Sequence, residues 1–387
     1  MEALLNDPGM PIDGDERRVG EKRMKGQVKV VHCLFGKIVL RRNYYYNSET
    51  RCGRYPLDEH LGLQDGYSPG LLRLICRAGA RDTYEVGSDD LKAYAAVEVS
   101  GRQINRVIDK VGPVLRSALE AERLSPEAKA VPRMYVSCDG TGVPMRKSEL
   151  EGRKGKQVDG SSKTKEMKIG CVFTEHPSGD GVAFRDCDST SYIATMQRCG
   201  AFAGLLRNEA LRRGMGLADE VVFIADGAAW IWEIARTNFP DCVEILDYYH
   251  ASEYLTEIVK LLFGKDSDQG DVQLEAWKKL LFEDSIEEVI AQVRGLYQTR
   301  TCDVQLVKLK VNYFENNKER MMYGTCLEKG YFYGSGVIEA GCKTLVGRRS
   351  KQSGMFWSTN GVENVQAIRA ALYSNRFTSY WDKRNAA

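Results

Sequence analysis

The sequence predicts an α/β protein in which a mixed-sheet domain follows a basic, partly helical N-terminal region. Three observations lead to this prediction. Short apolar strands alternate with helical segments from Arg133 onward, a run of helical segments from Glu253 to Met322 interrupts that alternation, and segment 17–42 carries nine Arg or Lys and one acid. Chains that alternate strands with helices build sheets covered by helices. We therefore expect a sheet domain with a helical insertion behind a basic region.

The length and composition are those of a folded protein with more than one domain. The chain has 387 residues, of which 43% are hydrophobic and 28% charged, and domains usually span about 100 to 200 residues. The net charge is only +2, so a polyanion would have to be bound by local basic patches. The 11 Cys form no Cys-x-x-Cys pair, which is typical of a reduced intracellular protein without a local zinc knuckle.

The N-terminus is acidic and carries no apolar leader, and no apolar run approaches the ~18 residues that cross a membrane. We therefore expect a cytoplasmic protein with no membrane partner.

Residues 1–63 are predicted to form a basic β-hairpin region. The β-branched and aromatic runs Gln27 to Val31 and Lys37 to Tyr46 are separated by Phe35-Gly36, which is typical of a hairpin. Segment 17–42 has a local charge of +8. This charge indicates either a phosphate-binding surface or a solvated basic face, and the sequence leaves both open.

Residues 64–130 are predicted to form a helical domain. Ser68-Pro69 supplies a helix N-cap and a first-turn proline. Helical segments at 90–97 and 102–108 flank a tight turn that ends in Ser100, which is a helix-turn-helix pattern, although helical hairpins are also common as plain structure. The polar first turns of the second helix supply the candidate DNA-reading residues. They are Arg102, Gln103, Asn105 and Arg106.

The sheet domain is predicted from four short apolar strands. The polar segment 146–168 lies between the first two of these strands and is predicted to be a loop or a hairpin tip. The strands are Met134 to Cys138, Met167 to Phe173, Val221 to Ala225 and Cys242 to Leu246.

Two acids stand at strand ends, and a third lies in a helix start. Asp139 and Asp226 each follow an apolar strand and precede a Gly, at the sheet edge where α/β proteins bind ligands. Each could instead be an ordinary Asx-turn residue. Glu339 lies between apolar neighbours, where Lys343 one turn later could pair with it as a plain i,i+4 ion pair.

Bringing three carboxylates together requires a cation. At ~4 Å and an effective dielectric constant of ~20, each pair of like charges costs ~4 kcal/mol. Carboxylates without His or thiolate ligands select Mg²⁺ or Mn²⁺. Two such ions support in-line phosphoryl transfer.

Five sequence blocks follow one another along the second part of the chain, and two shorter blocks, 56–63 and 68–71, precede them. The five blocks are 138–145, 224–232, 247–250, 313–317 with 320–321, and 334–343. In this order they resemble the signature blocks of Kra-type insertion-sequence transposases, a bacterial DDE-type family. One departure is that the Cys-x-x-Cys pair of many relatives is reduced here to Cys52-Gly53, so we do not expect a zinc site there.

The resemblance implies a ribonuclease H-like catalytic domain, here 131–264 and 327–387, with a helical insertion, 265–326, before the glutamate. It implies that Asp139, Asp226 and Glu339 form the catalytic triad and hold two Mg²⁺ or Mn²⁺ ions. His250, in an Asp-x-x-His pair with Asp247, would be a further catalytic residue and not a metal ligand. Without the resemblance, the sequence favours His250 as an ordinary helix-start residue bonded to Asp247.

The resemblance also implies the partners. They are double-stranded DNA, as transposon ends and target, and further copies of the chain, at least a dimer on DNA. A DNA partner implies that the cytoplasmic protein is nucleoid-associated. Segment 340–362 contains no acid, so its basic residues are candidate phosphate contacts, the alternative being a solvated basic helix. They are Lys343, Arg348, Arg349 and Lys351.

Two other functions stay open from the sequence. One is a helix-turn-helix regulator with an inactive ribonuclease H-like domain, and the other is a nuclease that cleaves without joining strands. A dinucleotide site is excluded because the glycine spacing after Gly334 does not fit the fingerprint. A phosphate-binding loop of the Walker type is excluded because no Gly-Lys pair is followed by Ser or Thr.

Overall fold

A three-stranded and a six-stranded sheet are present in the part of the chain that the structure describes. This structure is a computed structural model, and it describes residues 2–7, 12, 14–122, 130–150, 163–176, 184–300 and 302–386. Residues 1–119 and 360–387 form a first unit, and residues 120–359 form a second. Most of the predicted loop 146–168, namely 151–162, lies outside the described residues. Within them, no helix is long and apolar enough to cross a membrane.

The N-terminal part of the first unit combines the small sheet with helices. Its elements are α1 (Glu2–Leu5), β1 (Glu21–Cys33), β2 (Gly36–Asn47), β3 (Cys52–Arg54), α2 (Pro56–His60), α3 (Pro69–Arg81), α4 (Tyr84–Ala95) and α5 (Gly101–Ala121).

The predicted basic hairpin is present as β1 and β2, which pair antiparallel and are longer than the sequence pattern indicated. Its inner face carries the buried side chains of Val31 and Leu40, which pack with Leu57. Its outer face leaves Val28 and Val30 exposed. The hairpin thus buries one face and presents the other, as expected for a small antiparallel sheet.

Helices occupy both positions of the predicted helix pair. The chain turns through 96–100 between α4 and α5, where Ala96 adopts a left-handed conformation with φ of 53°. Ser100 and Gln103 form a capping box, in which Gln103 Oε1 accepts from the Ser100 backbone N–H at 2.9 Å. Helix α5 extends well beyond the predicted 102–108 because its apolar positions, Ile104 to Leu115, stay on one buried face.

The second unit alternates strands and helices, then becomes helical. Its elements are β4 (Val131–Pro144), β5 (Thr164–His176), β6 (Phe184–Arg185), β7 (Ser191–Thr195), α6 (Cys199–Arg212), β8 (Ala218–Ala225), α7 (Ala229–Asn238), β9 (Val243–Leu246), α8 (Tyr248–Phe263), α9 (Asp268–Phe282), α10 (Ile286–Thr299), α11 (Val304–Asn317), α12 (Tyr323–Lys329), α13 (Gly336–Gly341) and α14 (Arg348–Ser350).

The large sheet is mixed, as predicted, and has the order β6-β5-β4-β8-β9, with β7 also paired to β5. Strand β4 is antiparallel to β5 and parallel to β8, and β8 is parallel to β9. All four predicted strands are present, and β6 and β7 are additional. Ser137 of β4 lies opposite Ile224 of β8, so Asp139 and Asp226 each lie two residues beyond this pair. Strand β8 ends at Ala225, whereas β4 continues to Pro144 and pairs Asp139 with Ile169 of β5, so Asp139 lies within its strand and not at the strand end that the sequence predicted.

The helical stretch after β9 shares its core with the sheet. Buried side chains of α9 to α11, such as Trp277, Val289 and Phe314, belong to the same hydrophobic cluster as Val136 and Phe223 of the sheet. Helix α13 then begins at Gly336, and a π-helical segment, Cys342–Gly347, connects it to α14. The predicted insertion is therefore helical, and it is packed against the domain that it interrupts.

The C-terminal helices, α15 (Thr359–Tyr373) and α16 (Phe377–Ala386), lie with the first unit from residue 360 onward, whereas we expected the sheet domain to extend to 387. Arg369 donates to the Ala80 carbonyl of α3 at 2.5 Å. A Cβ on Gly112 of α5 would lie 2.8 Å from the Asn364 Cα. These close contacts, together with ten consecutive buried residues, 362–371, hold α15 within the first unit.

Candidate active site

One cavity of the second unit gathers all four predicted catalytic residues. It has a volume of about 260 Å³. Its walls come from the middle of β4, the end of β8, the first turns of α8, and α13 with the residue before it. The lining residues are Cys138, Asp139, Asp226, His250, Glu253, Ser335, Ile338 and Glu339.

Asp139 is held by two hydrogen bonds. Its Oδ1 accepts from the Gly140 backbone N–H at 2.6 Å, and its Oδ2 accepts from the Cys342 thiol, with 3.2 Å between oxygen and sulfur. Burial raises the pKa of Asp139, and the nearby charge of Asp226 adds to this effect. A negative charge on Asp139 is therefore unfavourable without a cation. No sequence pattern pointed to the contact from Cys342.

Asp226 is positioned by a turn that requires glycine. Its Oδ1 accepts from the Ala228 N–H at 3.1 Å, so the Asx-turn interpretation describes its local bonding. The next residue, Gly227, has φ of 96°, and a Cβ there would lie 2.8 Å from Tyr313 Cε2. The Tyr313 hydroxyl donates to the Asp226 carbonyl at 3.0 Å. Helix α11, which carries Tyr313, thus supports the backbone of Asp226, a candidate metal-binding residue.

Asp247 is fully buried and joins two walls of the cavity. Its Oδ1 accepts from the backbone N–H groups of Tyr249 at 2.6 Å and His250 at 3.1 Å, which caps α8. Its Oδ2 accepts from the Ser335 N–H at 2.6 Å, in the segment that leads into α13. The strand-end position of Asp247 was visible in the sequence, but its bond to Ser335 was not.

His250 lies beside this carboxylate. Its Nδ1 is 3.6 Å from Asp247 Oδ2, and the interaction with Asp247 raises the pKa of His250 to about 9. The raised pKa favours the imidazolium form at neutral pH, in which both ring nitrogens carry protons. A cation in this position can contact a phosphate oxygen.

Glu339 projects from the first turn of α13. The Ser335 hydroxyl lies 3.4 Å from Glu339 Oε1, and Lys343 Nζ lies 3.7 Å from Glu339 Oε2. The i,i+4 ion pair considered from the sequence is thus present. The Lys343 side chain is 79% exposed, and such surface pairs contribute little, so the pair leaves Glu339 available to a ligand.

The carboxylates surround the cavity without forming one tight cluster. Among the described residues, the group whose potential ligand atoms lie within 4.8 Å of one another is Asp247, His250 and Glu339. Backbone N–H groups bond to both oxygens of Asp247, two to Oδ1 and one to Oδ2, and the raised pKa of His250 favours its protonated form, so this group is a weaker ligand set for a cation. The carboxyl groups of Asp139, Asp226 and Glu339 lie on different walls of the cavity.

The basic residues after α13 differ in their surroundings. Lys343 and Arg348 are exposed. The Lys351 ammonium donates to the hydroxyl of Thr141, which lies two residues after Asp139 on β4. Arg349 is only 1% exposed, and its guanidinium lies 4.9 Å from the centre of the Trp357 ring. The expected phosphate contact of Arg349 is therefore at odds with the structure, because its side chain is used in packing.

The candidate DNA-reading residues of α5 also differ from one another. Gln103 uses its amide twice, since Nε2 donates to the Tyr67 hydroxyl at 3.0 Å while Oε1 caps the helix. Asn105 donates to Asp109 at 3.1 Å. Arg102 and Arg106 are exposed. The structure leaves these two cations accessible, whereas the amides of the other two residues are engaged within α5 and its surroundings.

Comparisons with known proteins give a match to a family model and similarity to solved structures. Residues 11–160 match the Uncharacterised protein family (UPF0236). Among solved structures, the chain is similar to the Drosophila P element transposase strand transfer complex, with 10% sequence identity, a TM-score of 0.29, and coverage of 83% of this chain and 82% of that chain. No curated protein matches. Neither similarity assigns a chemistry to the cavity, so its own residues must carry the functional proposal.

Proposed function

We propose that the chain is a DDE-type DNA transposase of a bacterial insertion sequence, which binds element ends and catalyses metal-dependent strand cleavage and strand transfer. One observation carries the proposal. Asp139, Asp226 and Glu339, which come from three separate sequence blocks, line a single cavity together with His250.

The architecture supports a ribonuclease H-like assignment of the sheet domain. Strand β4, which carries Asp139, pairs antiparallel with β5 on one side and parallel with β8 on the other. A run of helices, α8 to α12, separates β9 from the helix that carries Glu339. These are the features that the family resemblance implies, namely a mixed sheet and a helical insertion before the glutamate.

The donor set fits Mg²⁺ or Mn²⁺. Each carboxylate oxygen has two lone pairs, and the hydrogen bonds to Asp139 and Asp226 use one on the oxygens concerned. Asp139, Asp226 and Glu339 would hold the ions, because hard oxygen ligands suit these cations. When bound, two such ions activate a water or 3′-hydroxyl nucleophile and stabilise the leaving oxygen.

The remaining groups act on the DNA. His250, held cationic by Asp247, would bind a phosphate oxygen at the reacting centre. The exposed Arg348 and Lys343, with Lys351 beside Thr141, would contact the backbone of the DNA end. In the first unit, α4 and α5 would act as a helix-turn-helix that recognises the element ends.

An in vitro assay on DNA that carries the element's ends tests the proposal. The variants Asp139→Asn, Asp226→Asn and Glu339→Gln are expected to abolish cleavage and to leave DNA binding nearly intact, because they remove metal ligands. Glu253→Gln is the matched control, since Glu253 lines the same cavity but is not among the proposed ligands. It should retain cleavage.

The same assay separates the alternatives. Joined products are expected from the wild type, whereas a nuclease would give cleavage alone and an inactive regulator would give neither. Measurable cleavage by a triad variant would remove that residue from the proposed site.

A further inference from the structure

A second cavity, in the first unit, lies between the basic hairpin and α5. It has a volume of about 260 Å³, and we call it the hairpin pocket. It is built from β1, from the turn before α3 and from the second helix of the predicted helix pair. Its lining residues are Lys29, Val30, His32, Asp65, Gly66, Tyr67, Gln103, Arg106 and Val107.

The charges of the hairpin pocket leave one cation available. Lys29 is paired with Asp58 at 2.9 Å, and Asp65 is paired with Lys110 at 2.6 Å. No carboxylate among the described residues pairs with Arg106. The acid of the lining is thus neutralised within the protein, and Arg106, which lines the cavity, has no counterion within the described part of the chain.

Neutral donors accompany this cation. The Tyr67 side chain is 7% exposed, and its oxygen accepts from Gln103 Nε2 at 3.0 Å, so the hydroxyl proton is available to a ligand. The His32 ring lies 5.6 Å from the Tyr67 ring, centre to centre. A guanidinium, a hydroxyl proton and an imidazole form a donor set that suits the oxygens of a phosphate group.

The surrounding surface favours a polymer over a single phosphate. Strand β1 carries exposed Lys22, Arg23 and Lys25, and β2 carries exposed Lys37 and Arg41. A free phosphate or mononucleotide would use the pocket alone, whereas a nucleic acid backbone presents further charges to these strands.

We propose that the hairpin pocket binds a backbone phosphate of duplex DNA, with Arg106 as its principal contact, and that the basic hairpin and α5 together form one DNA-binding surface. This inference rests on the proposed function, because it names a DNA contact of the same protein. It changes the role expected for Gln103, which orients Tyr67 and caps α5 instead of reading a base.

The first test measures how DNA binding depends on salt. The full chain is titrated with a mixed-sequence duplex in EDTA, without divalent metal, so that cleavage does not contribute. Arg106→Ala is expected to reduce the log-log salt slope by ~0.9, the value for one lost phosphate contact. Arg77→Ala serves as the control, because Arg77 is exposed on α3 and is not part of the pocket lining. The slope of this control should match the wild type.

The second test fills the pocket without changing its charge. Val30→Trp is expected to weaken duplex binding ~10-fold or more, about 1.4 kcal/mol, because the indole occupies the space of the phosphate. Val272→Trp is the control, since Val272 is exposed on α9 and belongs neither to the pocket nor to the proposed DNA-binding surface. Trp is well tolerated in strands, and equal melting temperatures verify that both variants are folded.

The outcomes decide between the ligand sources. An unchanged salt slope in Arg106→Ala, or equal affinities of the two Trp variants, would overturn the proposal. Saturable binding of inorganic phosphate or a mononucleotide that duplex DNA does not displace would also overturn it. Because no metal is present, these results are independent of whether Asp139, Asp226 and Glu339 cleave DNA.

Discussion

Replacing His250 by Gln is expected to remove a pH dependence of stability that the ion pair with Asp247 creates. The pKa of His250 is raised from 6.5 to about 9 in the folded protein, chiefly by Asp247. A group whose pKa is raised on folding stabilises the protein fully below its unfolded pKa, and the stabilisation disappears as the pH rises through the folded pKa. The wild type should therefore lose stability between about pH 6.5 and 9 relative to the variant.

The size of the effect follows from the geometry. A rise of the pKa from 6.5 to about 9 corresponds to about 3.4 kcal/mol if the pair were fully shielded from solvent. The His250 side chain is 35% exposed, whereas Asp247 is fully buried. Solvent screening of the exposed partner reduces the contribution, and we expect about 1–2 kcal/mol.

Urea denaturation of wild type and His250→Gln at pH 6, 7.5 and 9.5, in EDTA, measures this difference. Other groups that titrate in this range, such as thiols, contribute equally to both proteins and cancel. The gap in unfolding free energy should narrow as the pH rises. A gap that stays constant would show that His250 is not held cationic by Asp247. His250→Ala should also lower cleavage or joining ~10²-fold or more while keeping the metal-induced stabilisation.

Three further predictions follow from the same contacts. Millimolar Mg²⁺ or Mn²⁺ should raise the melting temperature of the wild type, by the equivalent of ~2.7 kcal/mol at 100 times the dissociation constant, and an equal shift in Asp139→Asn would contradict the proposed ligand set. Arg348→Ala should flatten the salt slope of DNA binding by ~0.9, whereas Arg349→Ala should instead lower the melting temperature, and the reverse pattern would refute the assignment of Arg349 to packing. Gly227→Ala, at a φ of 96° with Tyr313 close by, should destabilise the protein by ~1–3 kcal/mol in urea denaturation, while Gly204→Ala, where a Cβ would meet nothing within 4 Å, should be neutral or stabilising.

The sequence indicated the elements that carry the site. Apolar runs that precede Asp139 and Asp226 predicted both strands, because a strand buried on both faces is continuously apolar. Strand β8 ends just before Asp226, as predicted, whereas β4 continues past Asp139 to Pro144. The family resemblance added Glu339 and His250 to the same site, and all four residues line one cavity. Their catalytic roles stay predictions.

Only the tertiary structure decided which polar side chains are buried or bonded to partners within the protein. Arg349 and Arg348 are adjacent and identical in type, yet one is buried and the other exposed. The sequence pattern indicates Gln103 as a base-reading residue, whereas in the structure its amide is bonded to Tyr67. The contact of Cys342 with Asp139 likewise joins residues that are far apart in the chain.

The physical reason is the range of the interactions. Local sequence sets backbone preference, hydrophobic period and helix caps, since these depend on neighbours within one or two turns. The partner of a polar side chain depends on packing between distant segments, as in the bond from Ser335 to Asp247 and in the association of 360–387 with the first unit. The sequence by itself therefore determined which residues could form an active site, and the fold determined which of them are free to act.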